Sequence, residues 1–280
     1  MKSPEQLKGF IRNLAIKRNL KAQEVLQMFL FERILIRLSI SPYQSKFILK
    51  GGLLISSMIG VNERTTMDMD TTVQGITMEE TEIIEIIKEI LLIDVNDNII
   101  FEFKGIEEIR EDDAYNNFRI HLQARYGKIN SPMKIDITTG DIITPSAILY
   151  DFPMLFEDGV IEIWAYTIET ILAEKIETII RRNIGTTRLR DYYDVYMLYR
   201  LNKDNVRFPV LKEAILNTAE KRSSLVEIQN WQEILKEIED ETYLEKLWKQ
   251  YVDDNRYIQN VSFEDVINAL KKILNELEME

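Results

Sequence analysis

The stretch FILKGGLLISSMIGVNERTTMDMDTTV, residues 47–73, sets a glycine pair and an acidic pair at a spacing from which the rest of the chain can be read. Phe47, Ile48 and Leu49 form a short apolar run, expected as a strand or a helix end, that feeds a tight turn at Gly51 and Gly52. Fifteen residues further on come Asp68, Met69 and Asp70, opening a strand-like pattern that lasts to Val73. Side chains two apart on a strand point the same way. Asp68 and Asp70 are therefore expected on one face, with Met67, Met69 and Thr71 on the other. Two like charges held that close repel, and a cation between them relieves the cost. An edge strand with its polar face in water is the bland account of such a pair taken alone.

A third carboxylate weakens the bland account. In KIDIT, residues 134–138, Asp136 stands between two isoleucines on a strand whose opposite face is apolar. Three strand carboxylates behind a glycine pair are what metal-assisted phosphoryl or nucleotidyl transfer needs. Two carboxylates bridge divalent ions that clamp a triphosphate, and a third completes the nucleophile side. The glycines would let backbone amides approach phosphate oxygens with no Cβ in the way.

Composition narrows the chemistry further. The 280 residues include no cysteine and one histidine, His121. Disulfides, thiolate zinc sites, iron–sulfur clusters and multi-histidine metal sites are excluded, which leaves hard ions such as magnesium or manganese held by oxygen. The balance of 47 acidic against 35 basic residues gives a net charge of −12, so bulk charge cannot coat nucleic acid. The N-terminus MKSPEQLKGF has no apolar signal core, and the best apolar run, Ile83 to Ile93, is broken by Glu85, Lys88 and Glu89. The chain reads as soluble and cytoplasmic, without a membrane partner.

Periodicity divides the chain near residue 165. Before it come two helices within the first forty residues, a helix starting at Thr77 with the stripe Ile83, Ile86, Ile87, Ile90 and Leu91, and strand-like segments at 99–109, 117–126, 133–138 and 160–164. After it only helices are expected, over 168–183, 187–201, 208–221, 226–238, 241–252 and 263–278. The expectation is an α+β protein: an N-terminal domain, 1–165, with a mixed sheet and flanking helices, then an all-helical domain, 166–280.

Four motifs, KGG at 50–52, RTTMDMD at 64–70, KIDIT at 134–138 and AEKIETIIRRN…RLRDYYDVY within 173–196, occur in an order that resembles the AbiEii/AbiGii toxin family. These are nucleotidyltransferases of the DNA polymerase β-like superfamily, with the MenT toxins as relatives. The resemblance spans roughly residues 45 to 200. It implies that Gly51 and Gly52 form the family's glycine turn and that Arg64, Thr65 and Thr66 form the lead-in to the metal-binding pair Asp68 and Asp70. It implies Asp136 as the third carboxylate, Lys175 as the lysine on the helix after the sheet, and Asp191 as the aspartate of an R-D-x-x-D motif that Asp194 fits equally well. Lys50, Gly51, Gly52, Arg64, Thr65, Thr66, Lys175 and Asp194 then fall to the nucleotide, and Asp68, Asp70, Asp136, Lys175 and Asp191 to catalysis. The resemblance further implies a type IV toxin–antitoxin or phage-defence role. With it come magnesium or manganese, a nucleoside triphosphate substrate, an RNA acceptor that in some relatives is the 3′ end of tRNA, and an AbiEi-type antitoxin as partner.

Other features can be weighed residue by residue. Lys175 lies inside the stripe Ile168, Ile171, Leu172, Ile176 and Ile179, where an ammonium loses hydration unless an anion meets it. It is expected to reach into the cleft over Asp68 and Asp70, and its replacement by methionine is expected to cost transfer, not folding. The bland alternative is a snorkelling side chain. Arg190, Asp191 and Asp194 share one arc of the following helix, which a solvated face would also explain. Arg181, Arg182, Arg188 and Arg190 put four guanidiniums within ten residues of an acidic chain, either to hold acceptor nucleic acid or to decorate a helix end. His121 reads as part of a polar sheet face, and the tyrosines near Asp191, with Trp231 and Trp248, read as core. Two classes of function follow: an enzyme that transfers a nucleotide, or a non-catalytic nucleotide- or protein-binding module on a degenerate fold of the same kind. The three carboxylates favour the enzyme.

Overall fold

The computed structural model describes residues 3–109 and 117–277. The chain divides into two compact units, Met1–Asp141 with Ile148–Ala165, and Ile142–Ala147 with Tyr166–Glu280.

The first unit is organised by one mixed sheet. Its seven strands are β1 (Phe47–Lys50), β2 (Met69–Val73), β3 (Ile100–Ile109), β4 (Asn117–Tyr126), β5 (Ile129–Thr139), β6 (Ile148–Pro153) and β7 (Val160–Ala165), in the spatial order β3-β4-β5-β2-β1-β7-β6. β2 runs parallel to β5 and antiparallel to β1, while β1 runs parallel to β7. Alternation in β5 follows the expected period of two: Ile129, Ser131, Met133, Ile135 and Ile137 are buried, and the residues between are more exposed. Helices α1 (Pro4–Lys17), α2 (Ala22–Ser39), α3 (Gly51–Ile59) and α4 (Glu80–Leu92) flank the sheet. Ser3 caps α1 in a capping box with Gln6, which satisfies amides that the first turn leaves open. α2 is buried nearly all round, and its Arg37 forms a bidentate pair with Asp97 at 2.7 Å for both bonds.

The second unit is helical: α5 (Ile168–Arg182), α6 (Leu189–Asn202), α7 (Phe208–Lys221), α8 (Leu225–Gln229), α9 (Trp231–Asp240), α10 (Thr242–Asp254) and α11 (Phe263–Glu276). Thr167 caps α5 by accepting from Thr170 N, and α5 packs on α6 and α7. Tyr192, Tyr193, Trp231 and Trp248 are at most 5% exposed, so they are core, as expected. The rings of Trp248 and Phe263 pack tilted with centroids 6.2 Å apart, and those of Tyr193 and Tyr257 likewise at 5.6 Å. The fold is thus α+β, with the sheet and the helical region in the anticipated order.

Several local expectations need correction. β1 runs into α3 with no turn between them: Lys50 ends the strand and Gly51 is already the first helical residue. α4 starts at Glu80 behind Glu79 and not at Thr77, with Glu80 and Glu82 in the first turn where the helix dipole favours them. The helix expected over 226–238 is two, parted at Asn230. β6 was not anticipated, because its solvent-facing residues include Ile148 and Leu149 and so blur the alternation. Met67 is exposed and not buried with Met69, since β2 begins only at Met69. The last residue of the helix expected over 263–278 lies outside the described residues. Among the described residues no helix is long and apolar enough to cross a membrane.

Candidate active site

One row of the sheet carries the charges. Lys50 of β1 stands opposite Asp70 of β2, Asp70 opposite Asp136 of β5, Asp136 opposite Arg119 of β4, and Arg119 opposite Glu107 of β3. Residues paired in register across neighbouring strands project from the same face at close range. The signs along the row therefore read plus, minus, minus, plus, minus. The one place where like charges are neighbours is Asp70 beside Asp136.

Asp70 is held tightly. Burial pushes its carboxyl pKa above the ordinary value; Lys50 and the Gly52 amide oppose that shift, and the charges of Asp136 and Asp68 add to it. Gly52 N–H points at Asp70 Oδ2 from 3.4 Å, the long end of a hydrogen bond. Gly51 has φ +67°, a conformation that glycine adopts without penalty, and a Cβ there would lie 2.0 Å from Asp70 Oδ2. At Gly52 a Cβ would lie 2.8 Å from Thr66 Oγ1 and 3.1 Å from Arg64 Nη2. The structure gives the two glycines a physical reason beside the expected one. The space a side chain would take belongs to Asp70, Thr66 and Arg64, so the pair lets α3 begin against the carboxylate.

Asp68 sits one residue before β2, and Thr66 fixes it there: the Thr66 hydroxyl donates to Asp68 O at 3.1 Å and lies 3.4 Å from Asp68 N. Arg64 and Thr65 are buried with Thr66, and the Arg64 guanidinium donates to Thr65 O. Thr66 thus holds Asp68 in place, and Arg64 ties down the segment that leads into it. Lys50 Nζ lies 2.6 Å from Asp141 Oδ2, which also accepts from Thr138 Oγ1 at 2.9 Å. Sequence reasoning passed over Asp141, the acid just after Gly140 at the end of β5, because it falls off the strand alternation. It also passed over Arg119, whose Nε and Nη2 each lie 2.8 Å from a different oxygen of Asp136. His121, two residues on, meets Glu107 at 3.1 Å on the polar face of the sheet, where it was expected.

These donors fit a hard divalent ion at Asp68 and Asp70. They are carboxylates, one of them half-buried and next to a second carboxylate, beside a backbone amide at a helix start. Among the described residues no three acidic or histidine side chains converge as a ready ligand set. Asp136, the expected third carboxylate, is engaged at both oxygens by Arg119.

The second unit has a charged cluster of its own. Lys175 Nζ on α5 lies 2.7 Å from Asp191 Oδ1 and 2.8 Å from Asp194 Oδ2, both on α6. Asp191 and Asp194 are 5% and 0% exposed. Burial lowers the lysine's pKa, but the two carboxylates outweigh it and leave the ammonium above its usual range. The anion that the apolar stripe demanded is thus present within the protein. The arginines part ways. Arg181 is drawn onto buried Glu177 at 2.7 Å and Arg188 onto Asp191 at 2.9 Å. Arg182 and Arg190 are exposed and, among the described residues, have no ion-pair partner.

A mixed sheet that sets paired carboxylates against a Gly-Gly helix start defines a protein of the nucleotidyltransferase class. The chain belongs to the family described as "Nucleotidyl transferase AbiEii toxin, Type IV TA system", whose model matches residues 33–269. It is similar in fold to the crystal structure of JHP933 from Helicobacter pylori, at 15% identity and a TM-score of 0.57 over 92% of this chain and 95% of that one. A second Helicobacter pylori protein, named as a candidate nucleotidyltransferase, matches at 16% identity and a TM-score of 0.53 over 92% and 98% of the two chains. Among curated proteins none matches.

Proposed function

We propose that the protein is the toxin of a type IV toxin–antitoxin or phage-defence pair and acts in the cytoplasm. It transfers a nucleotidyl group from a nucleoside triphosphate to an RNA acceptor, for which the 3′ end of tRNA is the favoured candidate. In this reaction the acceptor hydroxyl oxygen bonds to the α-phosphorus as its proton passes to solvent, the bond to the bridging oxygen breaks, and pyrophosphate leaves with the electron pair. The observation that carries the reading is the adjacency of Asp70 and Asp136 in the sheet, beside Asp68 and the start of α3. Asp70 and Asp136 repel across neighbouring strands even with Lys50 and Arg119 on either side of them, and a cation that arrives with a triphosphate offsets that cost.

Asp68 and Asp70 would hold magnesium or manganese, which supplies the charge that gathers phosphate oxygens and eases loss of pyrophosphate. Gly51 and Gly52 keep α3 hard against Asp70, and Thr66 keeps Asp68 beside it. The same reading assigns Lys175, Asp191 and Asp194 to triphosphate-dependent turnover, and an AbiEi-type antitoxin as the protein partner. The deciding experiment offers each of the four labelled triphosphates to total cellular RNA, with magnesium and with chelator. Label should enter RNA only with metal, and Asp70→Asn should abolish it while leaving the folded spectrum unchanged. If no triphosphate labels any RNA and the parent protein still inhibits growth, the non-catalytic binding module is the correct reading.

A further inference from the structure

Arg119 belongs to none of the motifs that mark the family in this chain, yet it makes a bidentate contact with one of the carboxylates of the row. Its Nε and Nη2 engage Asp136 Oδ1 and Oδ2, each at 2.8 Å, a fork geometry that leaves no carboxylate oxygen of Asp136 without a charged donor. The third nitrogen, Nη1, lies 3.9 Å from Glu107, which is more than half exposed and screened by water. Around the row stand five carboxylates, Asp68, Asp70, Asp136, Asp141 and the exposed Glu107, and two cations, Lys50 and Arg119. With all of them ionised, five minus two leaves three negative charges, and one divalent ion leaves the row still slightly negative. A second ion would leave the row positive and would need Asp136 to give up its guanidinium.

We propose that Arg119 takes the place of a second metal ion: it holds Asp136 out of the ligand set, so that this chain binds a single divalent ion at Asp68 and Asp70. The proposal rests on the reading of Asp68 and Asp70 as the metal pair. Arg119 acts through Asp136 and is a positioning residue. Asp136 in turn anchors a fixed positive charge on β4, one strand beyond β5 from Asp70.

The test is a Mn2+ titration of the metal-free protein, with free ion followed by electron paramagnetic resonance and the fold by circular dichroism. The parent should bind one Mn2+ per chain, and Asp70→Asn should lose it. Asp136→Asn should keep that ion with affinity within about threefold, where loss of a group that truly orients a ligand costs tenfold or more. Arg119→Met should gain a second Mn2+, and the double variant Arg119→Met/Asp136→Asn should lose that second ion. Two ions in the parent, or loss of the ion in folded Asp136→Asn, overturns the proposal while leaving the metal pair standing. No binding by the parent at millimolar Mn2+ removes the metal pair itself and this proposal with it. Asp136→Asn decides the matter even if Arg119→Met does not fold, because the amide keeps the shape of the carboxylate.

Discussion

Gly51 shows how little room the acidic pair leaves. A methyl group at that position would meet Asp70 at 2.0 Å on a backbone of φ +67°. Left-handed backbone costs an L-residue roughly 1–2 kcal/mol before any clash is counted. Gly51→Ala is therefore expected to lower stability by about 2 kcal/mol or more and to displace the carboxylate, so that transfer falls with it. Urea unfolding and a transfer assay on the same preparation check this, and normal values of both would mean that α3 can shift freely. Glu32 is a different kind of residue, buried on α2 away from the row, where it accepts from Leu155 N at 2.7 Å. Burial, only partly offset by that amide and by Arg33, pushes its carboxyl from 4.5 up to about 7. A raised folded-state value means that its favourable contribution is complete below the unfolded value and disappears as pH rises through the folded one. The ionised form then costs on the order of 3 kcal/mol. Glu32→Gln should consequently stabilise the protein at about pH 8 and change little at about pH 4. An equal effect at both values in urea unfolding would show that Glu32 ionises as an ordinary surface acid.

At the scale of elements, α5 and α6 are tied by Lys175, and that tie changes what a substitution there must do. From the helix pattern alone the lysine is expected to seek a phosphate, with methionine costing transfer but not the fold. The structure gives it two buried carboxylates, so Lys175→Met would leave Asp191 and Asp194 uncompensated at 5% and 0% exposure. Removing one partner of such a cluster typically costs about 3–5 kcal/mol. Lys175→Met is thus expected to lower the unfolding midpoint clearly, and its transfer defect cannot be read without that measurement. Lys175→Met/Asp194→Asn should recover part of the stability, and failure to recover any would mean that the two carboxylates are already neutral. The helices were legible because apolar periodicity is a local property, and the acids of β2 and β5 because strand alternation is local as well. Arg119 and Asp141 were not, since register across β4, β5 and β1 depends on which strands become neighbours, and nothing within FRIHLQARY, residues 118–126, says that Arg119 will face Asp136. The sharp start of α3 escaped for a related reason: Gly-Gly reads as a turn until the space it clears is seen to be occupied.

For the whole molecule the difficulty is charge. On the proposed function, a chain of net −12 has to hold a polyanionic acceptor, and a local surface that stays positive is what would let it do so. The arginine run offers such a surface, but the structure halves it. Arg181 is committed to Glu177, which is fully buried and also receives Arg222 at 2.7 Å and Ser224 at 2.8 Å, while Arg188 is committed to Asp191. Arg182 and Arg190 are exposed with no such commitment among the described residues. The two pairs should therefore separate by experiment. Arg182→Ala/Arg190→Ala removes two exposed charges without unpairing a buried acid, so stability should hardly change. Binding of RNA should weaken, and the slope of log affinity against log salt should become shallower by about 1.5, the release of counterions from two phosphate contacts. Arg181→Ala should do the reverse, lowering the unfolding midpoint because Glu177 loses one of its charged donors, with a smaller change in the salt slope. Fluorescence anisotropy of a labelled RNA across a salt series, beside urea unfolding of each variant, reads both quantities. An unchanged slope in Arg182→Ala/Arg190→Ala would place the acceptor on another surface and return these two arginines to the role of keeping an acidic helical unit in solution.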